Sequence, residues 1–302
     1  MKIIKVQGLT KKFGEFTAVD NISFSVEKGQ LIGFLGVNGA GKSTTINMMS
    51  TLLTPTSGEM EICGSDVRKD GAAVRKKIGM VSQGNVLDDC LSVKENLICR
   101  GTIHGTAGRR AAERLAELSR IFSLDGLLSR RYRTLSGGQK RKCEIAAALM
   151  HTPEILILDE PTTGLDPASR KEVWSTVTGL RKDTGMTVFL TTHYMEEAAE
   201  SEDVMILNRG RIAARGTPHQ LKERYAADRL RIYCTGKNRE ETERLLEGTD
   251  MSRESFGVVI RLRSTKDALP ILEKVGRKCD GFEVIEGTLD DVFLDVTGED
   301  RQ

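Results

Sequence analysis

Apolar and polar residues alternate from Ile3 to Val6 and from Ile22 to Val26, the period of a half-buried strand, whereas Leu31 to Leu35 is an unbroken apolar run of the kind found in strands buried on both faces. From Lys42 the sequence Ser-Thr-Thr-Ile-Asn-Met-Met predicts a helix that ends before Pro55, and Glu59 to Cys63 predicts another short strand. Helical periodicity then prevails from about Val93 to Leu128, with Ser92 and Glu95 spaced as a capping box at its start. Ile155 to Leu158, Val188 to Leu190 and Val204 to Leu207 are further buried strands. Between them, Asp166-Pro167 starts a helix running toward Leu180, because Asp caps and Pro is preorganised at the first helical position, and a second helix starts near Tyr194. Strands alternating with helices predict an α/β fold around a parallel sheet covered on both faces.

After Gly216-Thr217-Pro218 the pattern changes. Arg229 to Cys234, Gly257 to Arg263 and Phe282 to Ile285 read as strands, separated by helical stretches from about Glu240 to Leu246 and Lys266 to Val275. The expected organisation is therefore one large domain over 1–222 and a small accessory α+β domain over 223–302. No phosphate loop or catalytic grouping is visible in the second segment, and the chain contains no repeats or low-complexity tracts.

Charge alters this picture little: the formal net charge is +2 and both signs are interspersed, so nothing global argues for nucleic acid or an anionic surface as partner. The basic clusters Arg75-Lys76-Lys77, Arg130-Arg131 with Arg133, and Lys140-Arg141-Lys142 are expected to be solvated faces or loops, since acidic residues lie near each. The six cysteines are scattered, without a C-x-x-C pair or a histidine at ligand spacing, as in a reduced cytosolic protein. Met1-Lys2-Ile3-Ile4 leads into a strand pattern rather than a signal core, and no apolar run approaches the ~18 residues of a membrane span. A membrane role would have to come through a partner.

Three segments carry candidate chemistry. Gly36-Val37-Asn38-Gly39-Ala40-Gly41-Lys42-Ser43 fits G-x-x-x-x-G-K-[ST] and stands where that motif works, after a buried strand and at the opening of a helix that continues with Thr44. Its glycines allow a tight loop with amides turned toward phosphates, Lys42 would neutralise them, and the Ser43 hydroxyl would coordinate Mg²⁺. The run Ile155 to Leu158 ends in Asp159-Glu160, an acidic pair suited to holding a metal and activating water, although such a pair is common at strand ends on its own. Together these two segments indicate a nucleoside triphosphatase without fixing its class. The third is Leu135-Ser136-Gly137-Gly138-Gln139, where Ser136 and Gln139 can form a capping box and the glycines let amides approach an anion.

With that third segment the chain resembles the ATP-binding subunits of ABC transporters, over about residues 1 to 221 and with the family motifs in order. The resemblance implies a P-loop ATPase domain with a parallel core sheet, an antiparallel β subdomain and a helical signature subdomain. It makes Gly36 to Ser43 the Walker A loop, Ile155 to Asp159 Walker B, Glu160 the catalytic carboxylate, and Leu135 to Gln139 the signature that binds the γ-phosphate on another cassette. It further implies that Gln83 touches Mg²⁺ and the attacking water, that Gly164-Leu165-Asp166 crosses a dimer interface, and that His193 contacts the γ-phosphate; apart from the family, a histidine at a strand end is commonly no more than a polar terminus. Phe13, in Lys12-Phe13-Gly14, would stack on adenine, with a core role as the alternative. His104, His151 and His219 match no motif and are expected at the surface.

Thr191 to Ala198, the Gly216-Thr217-Pro218 turn and the ending Leu289 to Gly298 are similar to drug-exporter ATPases of the daunorubicin-resistance type. This likeness implies ATP and Mg²⁺ as cofactors, a separate ABC-2 type permease, a second nucleotide-binding subunit, most simply a homodimer, no nucleic acid, a place at the cytoplasmic face of the membrane, and export of drug-like or lipid-like molecules. Two stretches depart from the pattern: Gly84 to Cys90, near the expected permease contact, and Ala199 to Asp203, one residue short. The rival is a soluble ABC-type ATPase acting on ribosome or DNA. Ribosome-acting members carry two cassettes, and DNA-repair members place heptad insertions or zinc cysteines between phosphate loop and signature; neither feature is present. A regulatory protein using nucleotide as a switch is disfavoured by Glu160 and His193.

Overall fold

In the computed structural model of the chain, which describes residues 1–84 and 86–298, the alternating amino-terminal segments form a long antiparallel hairpin, β1 (Lys2–Phe13) and β2 (Phe16–Glu27). Asn85, within the departing stretch after Gln83, and residues 299–302 lie outside that description. Next along the chain come β3 (Leu31–Gly36), α1 (Lys42–Met49), β4 (Ser57–Ile62), β5 (Ser65–Asp66), α2 (Gly71–Lys77), β6 (Ile78–Val81), α3 (Val93–Ile103), α4 (Gly108–Ile121), α5 (Gly137–Ala148), β7 (Ile155–Asp159), α6 (Pro167–Thr184), β8 (Thr187–Thr191), α7 (Met195–Ala199), β9 (Asp203–Asn208) and β10 (Arg211–Gly216). The helical stretch expected from Val93 to Leu128 breaks at Gly105, whose φ of 88° suits glycine and ends α3 before α4 begins. The Ser92 capping box is formed as expected, with Glu95 N–H donating to the serine hydroxyl.

Two sheets share this unit: an antiparallel one, β2-β1-β4-β5, and a six-stranded one, β10-β9-β3-β8-β7-β6, in which β3, β9, β8, β7 and β6 pair in parallel. Every residue of β3, β7 and β8 is buried, which explains their unbroken apolar sequences. Successive side chains divide between two cores. Leu156, Leu158, Val188 and Leu190 pack with α3 to α6, whereas Ile155, Ile157, Phe189 and Phe34 pack with α1 and the antiparallel sheet. Parallel pairing has one further consequence: the carboxyl ends of β3, β6, β7 and β8 emerge along one edge, with Asp159 in register with Thr191. Crevices at that edge are where open α/β sheets bind ligands.

The chain divides into two compact units, Met1–Arg215 and Gly216–Gln302. The division falls seven residues ahead of the boundary expected at 222/223, because α8 (Pro218–Tyr225), started by Thr217 and Pro218, packs on the final helix of the second unit. That unit continues with β11 (Asp228–Tyr233), α9 (Gly236–Leu245), β12 (Met251–Glu254), β13 (Gly257–Leu262), α10 (Ala268–Val275), β14 (Gly281–Ile285) and α11 (Leu289–Thr297). Its antiparallel sheet runs β12-β13-β11-β14, and Leu230, Ile232, Val258 and Ile260 form its core. Asp291 closes the capping box of α11 with Thr288 and also pairs with Arg229 of β11. Among the described residues no helix is long and apolar enough to cross a membrane.

Two expectations of exposure are corrected. Lys140-Arg141-Lys142 is not a solvated cluster, for Arg141 and Lys142 are 7% and 9% exposed. His104 and His151 are only partly exposed and stack on each other at 4.1 Å, with His151 Nε2 against the Ile78 carbonyl. Burial, followed by the neighbouring His104, depresses His151 to about 4, and burial with Arg100 moves His104 the same way.

A base whose pKa is lower folded than unfolded contributes stability that is present above its unfolded value and is lost as the pH falls toward the folded one, here from about 6.5 to about 4. We therefore expect His151→Gln to reduce the acid-induced loss of unfolding free energy across that window by about 1 kcal/mol, a figure discounted for partial solvent exposure, in urea titrations at pH 7 and pH 5. The signature glycines should also differ. A Cβ on Gly138 would lie 2.7 Å from Ser169 Oγ, whereas one on Gly137 meets only Leu165 Cδ2 at 3.5 Å. Gly138→Ala should cost about 1–3 kcal/mol by overpacking α5 on α6, and Gly137→Ala should stay within about 0.5 kcal/mol, both read from urea midpoints.

Candidate active site

The loop leaving β3 is shaped by close approaches. A Cβ on Gly36 would stand 2.7 Å from the Leu207 carbonyl oxygen, and one on Gly41, at φ 106°, 2.5 Å from that of Ala18. Both positions therefore exclude side chains. Gly41 caps α1 without a side-chain acceptor, and no acidic residue occupies the first turn, so the amides and positive dipole end of α1 are uncompensated by protein groups. Lys42, 8% exposed, turns its Nζ back onto the carbonyls of Gly36 at 2.6 Å and Val37 at 3.2 Å. Burial lowers its pKa, against the upward pull of Glu160 and Asp159. Ser43 is exposed at the mouth of the loop, with Thr44 beside it half-buried.

Asp159 ends β7 and accepts a 2.6 Å hydrogen bond from the Thr191 hydroxyl; burial nevertheless raises its carboxyl above the ordinary range. Glu160 adopts φ 48°, a left-handed conformation uncommon outside glycine. Its backbone is fixed from two sides. The amide donates to the Thr191 carbonyl at 3.0 Å and hydroxyl at 3.1 Å, and the carbonyl accepts from Arg141 Nη2 at 2.9 Å. That conformation brings Oε2 to within 3.0 Å of the Gln83 amide nitrogen, 3.3 Å of the Thr163 hydroxyl and 3.7 Å of His193 Nδ1. Three residues more than thirty positions apart in sequence, Gln83, Glu160 and His193, thus meet at one carboxylate oxygen at the edge where β6, β7 and β8 end.

The Ser136 capping box is formed as expected: Gln139 N–H donates to the serine hydroxyl at 3.3 Å, and Ser136 N–H to the Gln139 side-chain oxygen at 3.1 Å. Its two glycines serve different ends, Gly137 being exposed and Gly138 buried against α6. The helix it opens packs in the core on one face of the parallel sheet, while α1 packs in the core on the other. The chain does not bring its own signature and phosphate loop together: no hydrogen bond or ion pair joins them among the described residues. Asp166 caps α6 by accepting from Ser169 N at 3.0 Å, and hydrogen bonding from the Ser169 side chain, then from its backbone, holds the Asp166 carboxyl below the ordinary range. Phe13 is 48% exposed at the tip of the first hairpin, opposite Phe16, with Lys11 Nζ 5.1 Å from its ring, so the core role is excluded.

Sequence reasoning missed Arg141 and Thr191. Besides Glu160, Arg141 donates to the carbonyls of Pro161 and Ser82 and to Glu144, which Tyr132 also engages through its hydroxyl. Its three carbonyl acceptors belong to the loops after β6 and β7. The available signal was helical phase: position 141 lies three residues after buried Gly138 and four before buried Ile145, on the inward face of α5. No group of three or more His, Cys, Asp or Glu able to hold a metal ion occurs among the described residues.

Residues 19–163 match the ABC transporter family and residues 216–297 the carboxyl-terminal domain of DrrA1-3-like ATP-binding proteins. The daunorubicin/doxorubicin resistance ATP-binding protein DrrA of Streptomyces peucetius is 39% identical, over 98% of this chain and 93% of that protein. The Nod factor export ATP-binding protein I of Cupriavidus metallidurans is 35% identical over 99% of both. Among solved structures, a dimeric ATP-binding cassette in a post-hydrolysis state bound to ADP and Pi aligns with a TM-score of 0.65 at 28% identity, over 71% of this chain and 98% of that one. The cbiO1 protein of Clostridium perfringens, part of the ABC transporter complex cbiONQ, aligns with 0.67 at 28% identity, over 73% of this chain and 90% of that one. With likeness running through both units, the chain belongs to the ABC transporter ATP-binding proteins of the daunorubicin-resistance type, subunits that bind and hydrolyse ATP for a membrane transporter.

Proposed function

We propose that two copies of this chain enclose two ATP molecules, each held by the Gly36–Thr44 loop of one copy and the Ser136–Gln139 helix start of the other, and drive a separate ABC-2 type permease that exports drug-like or lipid-like molecules. The observation that carries this reading is the meeting of Gln83, His193 and Glu160 at one oxygen, beside a phosphate loop whose own signature lies across the sheet. Among the described residues no hydrogen bond or ion pair joins that helix start to the loop of its own chain, and its packing on the other face of the sheet supports its serving the loop of a second.

In this reading Phe13 stacks on the adenine, and Lys42 exchanges its carbonyl partners for the β- and γ-phosphates. Glu160 takes a proton from water as the water oxygen bonds to the γ-phosphorus and the bond to the β,γ-bridging oxygen breaks. Gln83 orients that water and His193 holds the γ-phosphate. Ser43, Asp159 and Gln83 would hold Mg²⁺, which supplies charge neutralisation at the phosphates. A single carboxylate with hydroxyl and amide donors suits an ion that keeps waters and phosphate oxygens in its shell, and Asp159, pushed up by burial, gains from a nearby cation. Asp166 and its neighbours face the second copy. The permease would meet the groove lined by Leu52, Val86, Leu87 and Arg100, at the cytoplasmic face of the membrane. Export is favoured by the functions in the names of the relatives, which are drug resistance and Nod factor export.

Glu160→Gln keeps the shape of the side chain, but its carboxamide cannot accept the proton. Turnover should fall by at least about 100-fold while ATP still binds, and sedimentation with saturating ATP should show the mass double. A monomer under those conditions would sink the two-copy arrangement, and parental turnover would remove Glu160 as the base. Arg141→Lys should lower kcat about tenfold or more with the Kd for a fluorescent ATP analogue within about twofold, because one ammonium cannot reach the carbonyls of Ser82, Glu160 and Pro161 together. Unchanged kcat would mean that Arg141 serves folding alone.

A further inference from the structure

Behind the site lies a third carboxylate, after Asp159 and Glu160, that the proposed chemistry does not employ. Glu197, on α7, is 3% exposed. Its Oε1 accepts from the Thr162 hydroxyl at 2.5 Å and its Oε2 from the Thr192 hydroxyl at 2.7 Å, with both threonines no more than 2% exposed. Thr162 stands two residues after Glu160 and opens the turn leading to Asp166; Thr192 immediately precedes His193. A second tie runs parallel to the first: the Arg170 guanidinium of α6 lies 3.6 Å from the centre of the Tyr194 ring, which itself packs on His193 at 4.3 Å. The loop after β8 is therefore tied twice behind the residues it presents, to the loop after β7 through Glu197 and to α6 through Arg170.

Such a carboxylate is a poor device for stability alone. Burial works against its charge, raising its pKa, with the two threonine hydroxyls opposing. Three apolar side chains of similar volume would hold two loops together without that desolvation. What the carboxylate provides, and apolar packing does not, is a directional bond to a specified atom on each loop.

We propose that Glu197 is a positioning residue that locks His193 to the Thr162–Asp166 turn, so that the two loops move as one body. The inference rests on the reading above, in which Asp166 faces the second copy and His193 the γ-phosphate. On that reading, seating of the second copy against the turn is transmitted through Thr162, Glu197 and Thr192 to His193, and the γ-phosphate contact becomes conditional on the dimer. Glu197 touches no reacting atom and acts only through His193.

The test uses the full chain with ATP. Glu197→Gln should lower kcat about 10- to 100-fold while KM and the Kd for a fluorescent ATP analogue change less than about twofold. In proton NMR the His193 Hε1 resonance should move while those of His104, His151 and His219 hold, which a general loss of packing would not produce. Adding His193→Ala to Glu197→Gln should cost little beyond either change alone. Should Glu197→Gln compromise folding, the variant carrying Thr162→Val, Thr192→Val and Glu197→Leu replaces the network with apolar groups and should show the same kcat loss at parental melting temperature. Parental kcat, an effect confined to KM, an unmoved His193 resonance or full additivity with His193→Ala would each overturn the proposal. Failure of the underlying reading looks different: His193→Ala by itself would then retain parental turnover.

Discussion

The site depends on the backbone of one residue. Glu160 stands directly after a fully buried strand, and to present its carboxylate to Gln83 and His193 it adopts a left-handed conformation that a side chain makes unfavourable, by about 1–3 kcal/mol. Locally its carbonyl accepts a turn bond from the Thr163 N–H at 3.3 Å, and from outside it is held by Thr191 of β8 at the amide and Arg141 of α5 at the carbonyl. The two supports come from different kinds of neighbour, the strand that pairs with β7 in the sheet and the helix that packs over it. The carboxylate is thus aimed by the sheet register and the helix docking jointly, and an error in either would disorganise it.

Arg141 gives that arrangement a second meaning. It belongs to the helix whose start carries Ser136 to Gln139, and its other acceptors are the carbonyls of Ser82 and Pro161, beside Gln83 and Glu160. If the helix start serves an ATP held by the other copy, then the same rigid α5 touches one nucleotide site with its first turn and braces the backbone of the other with its second. Gly138 packed against Ser169 ties α5 in turn to α6, whose cap is Asp166. Signature, catalytic carboxylate and interface turn are then parts of one packed block, a physical basis for two sites acting in concert.

The sequence made the parallel sheet, the phosphate loop and the Ser92 and Ser136 capping boxes legible because each is a local matter: an apolar run, a glycine spacing, a serine three residues before a glutamate or glutamine. The gathering of Gln83, Glu160 and His193 was legible only through family resemblance, since their separation in sequence carries no distance; parallel strand order is what converts three chain positions into one edge. Arg141 and Glu197 escaped for another reason. Both are charged residues in charged stretches, Lys140-Arg141-Lys142 and Glu196-Glu197, where Lys140 and Glu196 remain more exposed while Arg141 and Glu197 point inward to buried partners. Helical phase separates the two cases for Arg141. For Glu197, on a helix of five residues, there is too little period to read. The change of pattern after Gly216-Thr217-Pro218 lies close to the division at 215/216, but the α8 sequence that follows is as polar as a linker, with only Leu221 buried in it, and does not show by itself to which unit it belongs.

The charges gathered along the sheet edge argue for the kind of ligand it meets. Burial drives Lys42 toward neutrality by lowering its pKa and Asp159 toward neutrality by raising its own, although each is partly sustained by opposite charge nearby. A protein optimised for stability alone would replace such groups or complete their pairing. Lys42 instead directs its donors to two carbonyls of its own loop, a weaker acceptor set than a phosphate, and the first turn of α1 offers amides with no carboxylate to meet them. Asp159, conversely, has one side-chain donor and no cation in contact among the described residues. A neutral ligand would relieve neither group, and a simple anion would help the lysine while burdening the aspartate. Relief of both at once takes a polyanion that carries its own counter-cation, with the cation on the aspartate side, which is the electrostatic description of a nucleoside triphosphate bound with a divalent metal.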